Sequence, residues 1–223
     1  MNFIEIQNVS LTFKTKVQLI PIFKDLNFSV EQGSFVVIVG PSGRGKSTLL
    51  NLVSGLVKPN AGKILVDGQN LSTMTEKKLC SFRNREIGYM FQNFNLIQQF
   101  NIRDNVTAPL LLGGLSRREA AERAASLLEQ VDLTGRMMEY PRTLSGGEQQ
   151  RVAFARAVAN QPKIILADEP TANLDTKNGQ NLINLLRRLC EEQGMTVLCV
   201  SHDSRAVEQG DRVIDIETLS CVE

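Results

Sequence analysis

The sequence predicts an α/β fold, a mostly parallel sheet covered by helices on both faces and interrupted by a helical insertion. Three observations predict it. Apolar runs at 35–39 and 164–167 have the length and β-branched content of strands buried on both faces. Segments of helical pattern alternate with such runs, as the crossovers between parallel strands require. Between about 94 and 143 the alternation stops and the pattern is mostly helical.

In chain order, residues 3–13, "FIEIQNVSLTF", alternate partly as a strand does, and a second extended stretch runs over 19–30. Glu31, Gln32 and Gly33 read as a turn into the buried strand "SFVVIVG". The spacing predicts a helix over 46–57, closed by the turn "KPNAG", and then a short strand and turn, "KILVDG". Ser116 and Glu119 have capping-box spacing ahead of the apolar stripe Ala120, Ala124, Leu127, Leu128 and Val131, which reads as core. After residue 145 a helix, the strand "KIILAD", another helix, "MTVLCVS" and the weaker strand "DRVIDIE" complete the core.

A length of 223 residues with 42% hydrophobic content suits one compact domain with a subdomain. The net charge of +1 gives no electrostatic footprint for nucleic acid. No apolar run approaches the ~20 residues of a spanning helix. "MNFIEIQNVS" has no basic region followed by an apolar stretch, so the expectation is a chain that stays in the cytoplasm. Cys80, Cys190, Cys199 and Cys221 have no CxxC spacing, so neither disulfides nor cysteine metal ligands are expected; Cys199 reads as a small buried hydrophobe.

The stretch "GPSGRGKSTLL" carries the first chemistry. Gly40, Gly45, Lys46 and Ser47 fit GxxxxGK[ST] between a predicted strand and a predicted helix. Glycines let backbone N–H groups face phosphate without a side chain in the way. The helix that follows presents its positive end. Lys46 reaches the terminal phosphates as a point charge, Ser47 offers a hydroxyl to Mg²⁺, and Thr48 can bond a phosphate oxygen. Arg44, between two glycines, either adds a phosphate contact or is solvated, and the solvated reading is preferred. "IILADEP" ends an apolar strand in two carboxylates. Asp168 suits Mg²⁺ held through water, and Glu169 suits polarisation of an attacking water. Ser145, Gly146 and Gly147 open a helix in "LSGGEQQRVAFARAVA", a second glycine-bearing anion site about a hundred residues away.

With "GPSGRGKST" as Walker A loop, "LSGGEQQRVAFARA" as signature and "IILADEPTANLD" as Walker B strand and D-loop, essentially the whole chain resembles the ATP-binding subunit of ABC transporters. The resemblance implies a P-loop NTPase nucleotide-binding domain, with an N-terminal antiparallel β subdomain. Residues 1–92 and 145–223 would form the core and 93–144 the inserted helical subdomain. It implies ATP and Mg²⁺ as ligands, held by Walker A residues Gly40, Pro41, Ser42, Gly43, Arg44, Gly45, Lys46, Ser47 and Thr48. Gln92 in "YMFQNFNL" matches the Q-loop and Asp175 the D-loop. His202, the sole histidine, matches the switch histidine that senses the γ-phosphate. Phe13 falls where the family stacks an aromatic on adenine. Lys46, Gln92, Glu169 and His202 would carry hydrolysis, with Ser47, Gln92 and Asp168 at the metal.

The family geometry further implies a head-to-tail homodimer formed on ATP binding. Ser145, Gly146 and Gly147 of one copy would face the ATP held by the other. Residues 68–106 resemble the lipoprotein-releasing and macrolide-exporting group, whose members act with separate integral membrane permease subunits. That implies a peripheral position on the cytoplasmic side of the inner membrane and no membrane domain fused to this chain. Cell-division ATPases look similar, so a mechanical regulator of a cell-envelope process is the alternative to export or extraction. Phe91, Phe94, Leu96 and Phe100 are either core or a groove for the membrane partner, and core is the default.

Overall fold

The structure is a computed structural model and describes residues 2–219; Cys221 lies outside them. The chain opens with a long antiparallel hairpin, β1 (Asn2–Lys14) and β2 (Leu19–Glu31), in which Phe13 pairs with Ile20 and Ile4 with Val30. β3 (Phe35–Val39) leads through the glycine-rich loop into α1 (Lys46–Val53). β4 (Ala61–Val66) and the two-residue β5 (Gln69–Asn70) return to the hairpin, giving an antiparallel sheet of order β2-β1-β4-β5. α2 (Glu76–Glu86) precedes β6 (Ile87–Met90). α3 (Ile102–Leu112) and α4 (Arg117–Glu129) follow, then α5 (Gly146–Val158) and β7 (Ile164–Asp168). α6 (Thr176–Gln193), β8 (Thr196–Val200), α7 (Ser204–Gln209), β9 (Arg212–Asp215) and α8 (Ile216–Leu219) complete the described chain. The second sheet, β6-β7-β8-β3-β9, is parallel in every pairing.

The parallel strands have no polar face because each side is covered. Phe35 and Val37 enter one apolar layer with α3 to α6, and Val36 and Ile38 enter another with α1 and the hairpin. Side chains alternate across a strand, so a sheet covered twice needs the near-continuous apolar runs seen in the sequence. Cys199 is fully buried in the first layer. The predicted capping box of α4 is present, with Ala120, Ala124, Leu128 and Val131 buried and Leu127 packed against them.

Three expectations need correction. The helix over 46–57 stops at Val53. Gly55 takes the left-handed φ of 65°, and a Cβ there would stand 2.8 Å from Leu79 Cδ2, so the chain turns where the pattern suggested continuation. The stretch expected to be helical from 94 begins instead with open chain, and α3 starts only at Ile102. α2, β5, β6 and α8 had no counterpart in the sequence reading. α2 buries only Leu79 and Phe82 and shows no apolar stripe. Among the described residues no helix is long and apolar enough to cross a membrane.

Candidate active site

The C-terminal ends of adjacent parallel strands are where loops can converge on a ligand, and this sheet uses four of them. The loop after β3 carries Lys46, that after β6 Gln92, that after β7 Asp168 and Glu169, and that after β8 His202. All five, with Ile22, Ser42, Gly43, Gly45, Ser47 and Thr48, line one cleft of about 520 Å³. A groove of comparable size between α4, α5 and α6 brings no such groups together.

The glycine-rich loop is shaped by steric necessity. Gly40, Gly43 and Gly45 have φ of 130°, 80° and 88°. A Cβ on Gly45 would lie 2.8 Å from Ile22 Cγ2, and one on Gly40 would lie 2.6 Å from Ile216 Cγ2. Lys46 is only 8% exposed, and its ammonium donates to the carbonyls of Gly40 at 2.6 Å and Pro41 at 2.9 Å. A hydrogen bond from a charged group is worth about 1.5–3 kcal/mol, while removing an ammonium from water costs several. The two carbonyls together roughly offset that cost, and an anion in the cleft would compete with them for the charge.

Ser47 Oγ lies 3.0 Å from Asp168 Oδ1. Burial raises the Asp168 carboxyl above its usual range, against the Ser47 hydrogen bond and the Lys46 charge, which lower it. A hydroxyl beside a partly desolvated carboxylate is a hard-oxygen donor set that fits Mg²⁺. Among the described residues no three His, Cys, Asp or Glu side chains form a metal site alone, so an ion here would complete its shell with phosphate oxygens and water.

Glu169 adopts a left-handed φ of 44°, a conformation that costs a non-glycine residue about 1–3 kcal/mol. Its N–H donates to Val200 O at 2.8 Å, which holds the strained residue against the end of β8. The carboxylate faces His202. Oε1 is 3.5 Å from His202 Nε2, and Oε2 accepts from the His202 backbone N–H at 3.4 Å. Asn173 Nδ2 donates to Gln92 O at 3.1 Å, fixing the loop after β6 to the turn after β7.

The second glycine turn is absent from this cleft. Ser145 caps α5, accepting from the Glu148 N–H, while Glu148 Oε2 accepts from the Ser145 N–H and Oγ, each at 2.8 Å. The Ser145 hydroxyl thereby holds the Glu148 carboxyl below its usual range. Arg136 pairs with Glu148 at 3.1 Å. Gly146 and Gly147 are glycines for closeness: a Cβ would stand 3.2 Å from Asn173 O and 3.1 Å from Asn178 Nδ2 respectively. Asn178 in turn bonds both oxygens of Asp175, the cap of α6. The signature turn and Asp175 thus form one packed unit outside the phosphate cleft.

The ABC transporter family model matches residues 23–172. The chain belongs to the ABC transporter family. It is similar to the lipoprotein-releasing system ATP-binding protein LolD of Syntrophus aciditrophicus, 41% identical over 98% of this chain and 99% of that one. It is 44% identical to the macrolide export ATP-binding/permease protein MacB of Rhodopirellula baltica over 87% of this chain, which spans 29% of that protein. The ATP-binding cassette MJ0796 of Methanocaldococcus jannaschii, solved as a dimer in a post-hydrolysis state with ADP and Pi, superposes with a TM-score of 0.90 at 40% identity, over 95% of this chain and 93% of that one.

Two positions in this ABC chain have surroundings the sequence did not reveal. Arg44 points out of the phosphate loop, as preferred, but it is paired: Nε lies 3.1 Å from Glu217 Oε1 in α8, both side chains about half exposed. An exposed pair contributes about 0–1 kcal/mol, so it orients the loop more than it stabilises the fold. Phe13 pairs with Ile20 beside the turn of the hairpin, is 39% exposed and does not line the cleft, whereas Ile22 does and was not anticipated. Asn173 and Asn178 were also missed, because no spacing distinguishes an asparagine that packs a glycine from one in a turn. Of the ambiguous apolar group, Leu96 is core, Phe91 and Phe94 are half-buried, and Phe100 is exposed. The core default fails for Phe100.

Proposed function

We propose that this chain holds ATP in the cleft around Lys46 and hydrolyses it as one half of a homodimer that drives a membrane permease. The chain is an ABC transporter ATP-binding subunit, and the convergence of Lys46, Ser47, Gln92, Asp168, Glu169 and His202 on one cleft carries the reading. Lys46, already desolvated, exchanges loop carbonyls for phosphate oxygens. Backbone N–H groups of 42–48 and the α1 N-terminus bind and orient the chain of phosphates. Ser47, Asp168 and Gln92 would hold Mg²⁺, which when bound neutralises charge building on the phosphates. Glu169 orients and polarises a water, and His202 keeps the Glu169 carboxylate directed into the cleft. Phe13 would stack on the base.

The signature turn lies outside its own chain's phosphate cleft. A second copy, packed head to tail, supplies one, with Ser145, Gly146, Gly147 and Asp175 facing the partner's nucleotide. The dimeric state of the similar MJ0796 cassette supports this arrangement. Residues 1–92 with 145–223 act as the core and 93–144 as the helical subdomain. Exposed Ile97 and Phe100, apolar side chains in the stretch ahead of α3, support a contact there for a permease element. Export or extraction agrees with the names of both relatives, and a separate permease, with this chain peripheral on the cytoplasmic face, is supported by the LolD name, whereas MacB carries its permease in the same protein. Identifying the membrane protein that co-purifies with the full chain separates this from a regulator of a cell-envelope hydrolase.

Glu169→Gln tests the assignment of roles. It should retain ATP binding while kcat falls by about 10²–10⁴. Turnover at the normal rate would remove Glu169 from the mechanism.

A further inference from the structure

Arg205 lies in the first turn of α7, and its guanidinium folds back on Asp203, the cap of that helix. Nε lies 2.8 Å from Oδ1 and 3.1 Å from Oδ2, and Nη2 lies 2.5 Å from Oδ2. Capping alone requires only the backbone N–H of Arg205, which donates to Oδ1 at 3.0 Å. The side chain also reaches another element. Nη1 donates to the carbonyl of Thr176, the first residue of α6 and the neighbour of Asp175.

Room for that contact comes from Gly179. A Cβ there would stand 2.6 Å from both Nη1 and Nη2 and 2.8 Å from Cζ. Gly179 is buried within α6 and donates an ordinary helical hydrogen bond to Asp175 O at 2.9 Å. Glycine weakens a helix interior relative to alanine, so what the position supplies is space for the guanidinium. Asp203 accepts a further hydrogen bond from Thr171, a buried residue just beyond Glu169. One ion pair, its side chains 21% and 14% exposed, thus joins three segments. They are the turn after Glu169, the strand end bearing His202, and the start of α6 behind Asp175.

We infer that Arg205 is a positioning residue that couples the two nucleotide sites of the dimer. Glu169 and His202 serve the chain's own nucleotide, while Asp175 and the signature turn packed on it serve the partner's. The planar guanidinium fork fixes one set relative to the other, which a flexible point charge cannot do. The inference rests on the two-copy reading above.

The test is steady-state ATPase against ATP concentration with the full chain as wild type, Arg205→Ala, Arg205→Lys and Gly179→Ala. Two coupled sites give a Hill coefficient approaching about 2. All three variants should fall to about 1, with kcat down about tenfold as the reacting groups lose their alignment and single-subunit ATP affinity unchanged. Lysine keeps a charge on Asp203 but not the fork, so it should not rescue coupling, although it would rescue a purely structural ion pair. Gly179→Ala pushes the guanidinium off Thr176 while keeping both residues of the ion pair in the chain, so it decides the matter if Arg205→Ala does not fold. Adding Arg205→Ala to Gly179→Ala removes the clash and should raise Tm above that of Gly179→Ala alone. ATP-dependent doubling of mass in the Glu169→Gln background checks the dimer separately. An intact dimer with wild-type cooperativity in Gly179→Ala and Arg205→Lys overturns the inference.

Discussion

The 40–48 loop and the 145–147 turn both put glycines at a helix N-terminus, but their surroundings differ. The first is ringed by unfinished chemistry. Lys46 is buried on two carbonyls, the Asp168 carboxyl is raised by burial, and Glu169 is held in a strained conformation facing His202. The second is closed on itself, its cap hydroxyl and N–H taken by Glu148 and its glycines pressed against Asn173 and Asn178. The contrast supports the proposal that one polypeptide builds the phosphate holder with its water-handling groups, while its signature turn serves the nucleotide of a second copy.

The comparison breaks most visibly at Lys46. Lys46→Ala removes the one cation buried in the cleft, and ATP affinity by isothermal titration should fall at least about a hundredfold, the scale of a lost charge-assisted bond to phosphate. Affinity close to wild type would mean that the loop backbone alone holds the phosphates. Ser145→Arg is the corresponding change at the other turn. It should leave single-subunit ATP binding unchanged and abolish ATP-driven association, read by sedimentation velocity, because the arginine occupies the surface offered to the second copy.

A smaller effect is pH-dependent. Arg205 pulls the Asp203 carboxyl down to about 2, against about 4 in an unfolded chain. The depressed value means that the pair stabilises the fold fully above about pH 4 and that this contribution is lost as pH falls toward 2. Tm curves for wild type and Asp203→Asn should therefore differ at neutral pH and converge in that window. A constant gap down to pH 2 would contradict the sign. The smallest change is Glu148→Ala, which removes half of the α5 capping box and should cost about 0.5–2 kcal/mol by chemical denaturation, whereas Glu148→Gln should keep it.

Much of this contrast was legible in the residues. The phosphate loop is a local spacing between a strand and a helix, and the Walker B carboxylates end an unmistakable apolar run. That His202 belongs to the site came only from resemblance to a family, and that it faces Glu169 across 33 positions came only from the structure, since composition places no loop beside another. The Arg44–Glu217 pair and the Arg205–Thr176 contact had no signal, because a side-chain partner on a distant element depends on packing that periodicity does not encode. Helix ends were lost for a different reason. The stop after Val53 is made by left-handed Gly55, with Leu56 N–H donating back to Asn51 O, a local glycine signal that the apolar pattern outweighed in the sequence reading, and α2 lacks the apolar stripe that announces a helix.

Light scattering of Glu169→Gln with Mg·ATP addresses the shared site most directly. The 24.7 kDa chain should double its mass on addition of Mg·ATP, stay doubled while the nucleotide is uncleaved, and remain single when Ser145→Arg is added. A Glu169→Gln chain that binds ATP tightly and keeps the mass of one copy would contradict the account.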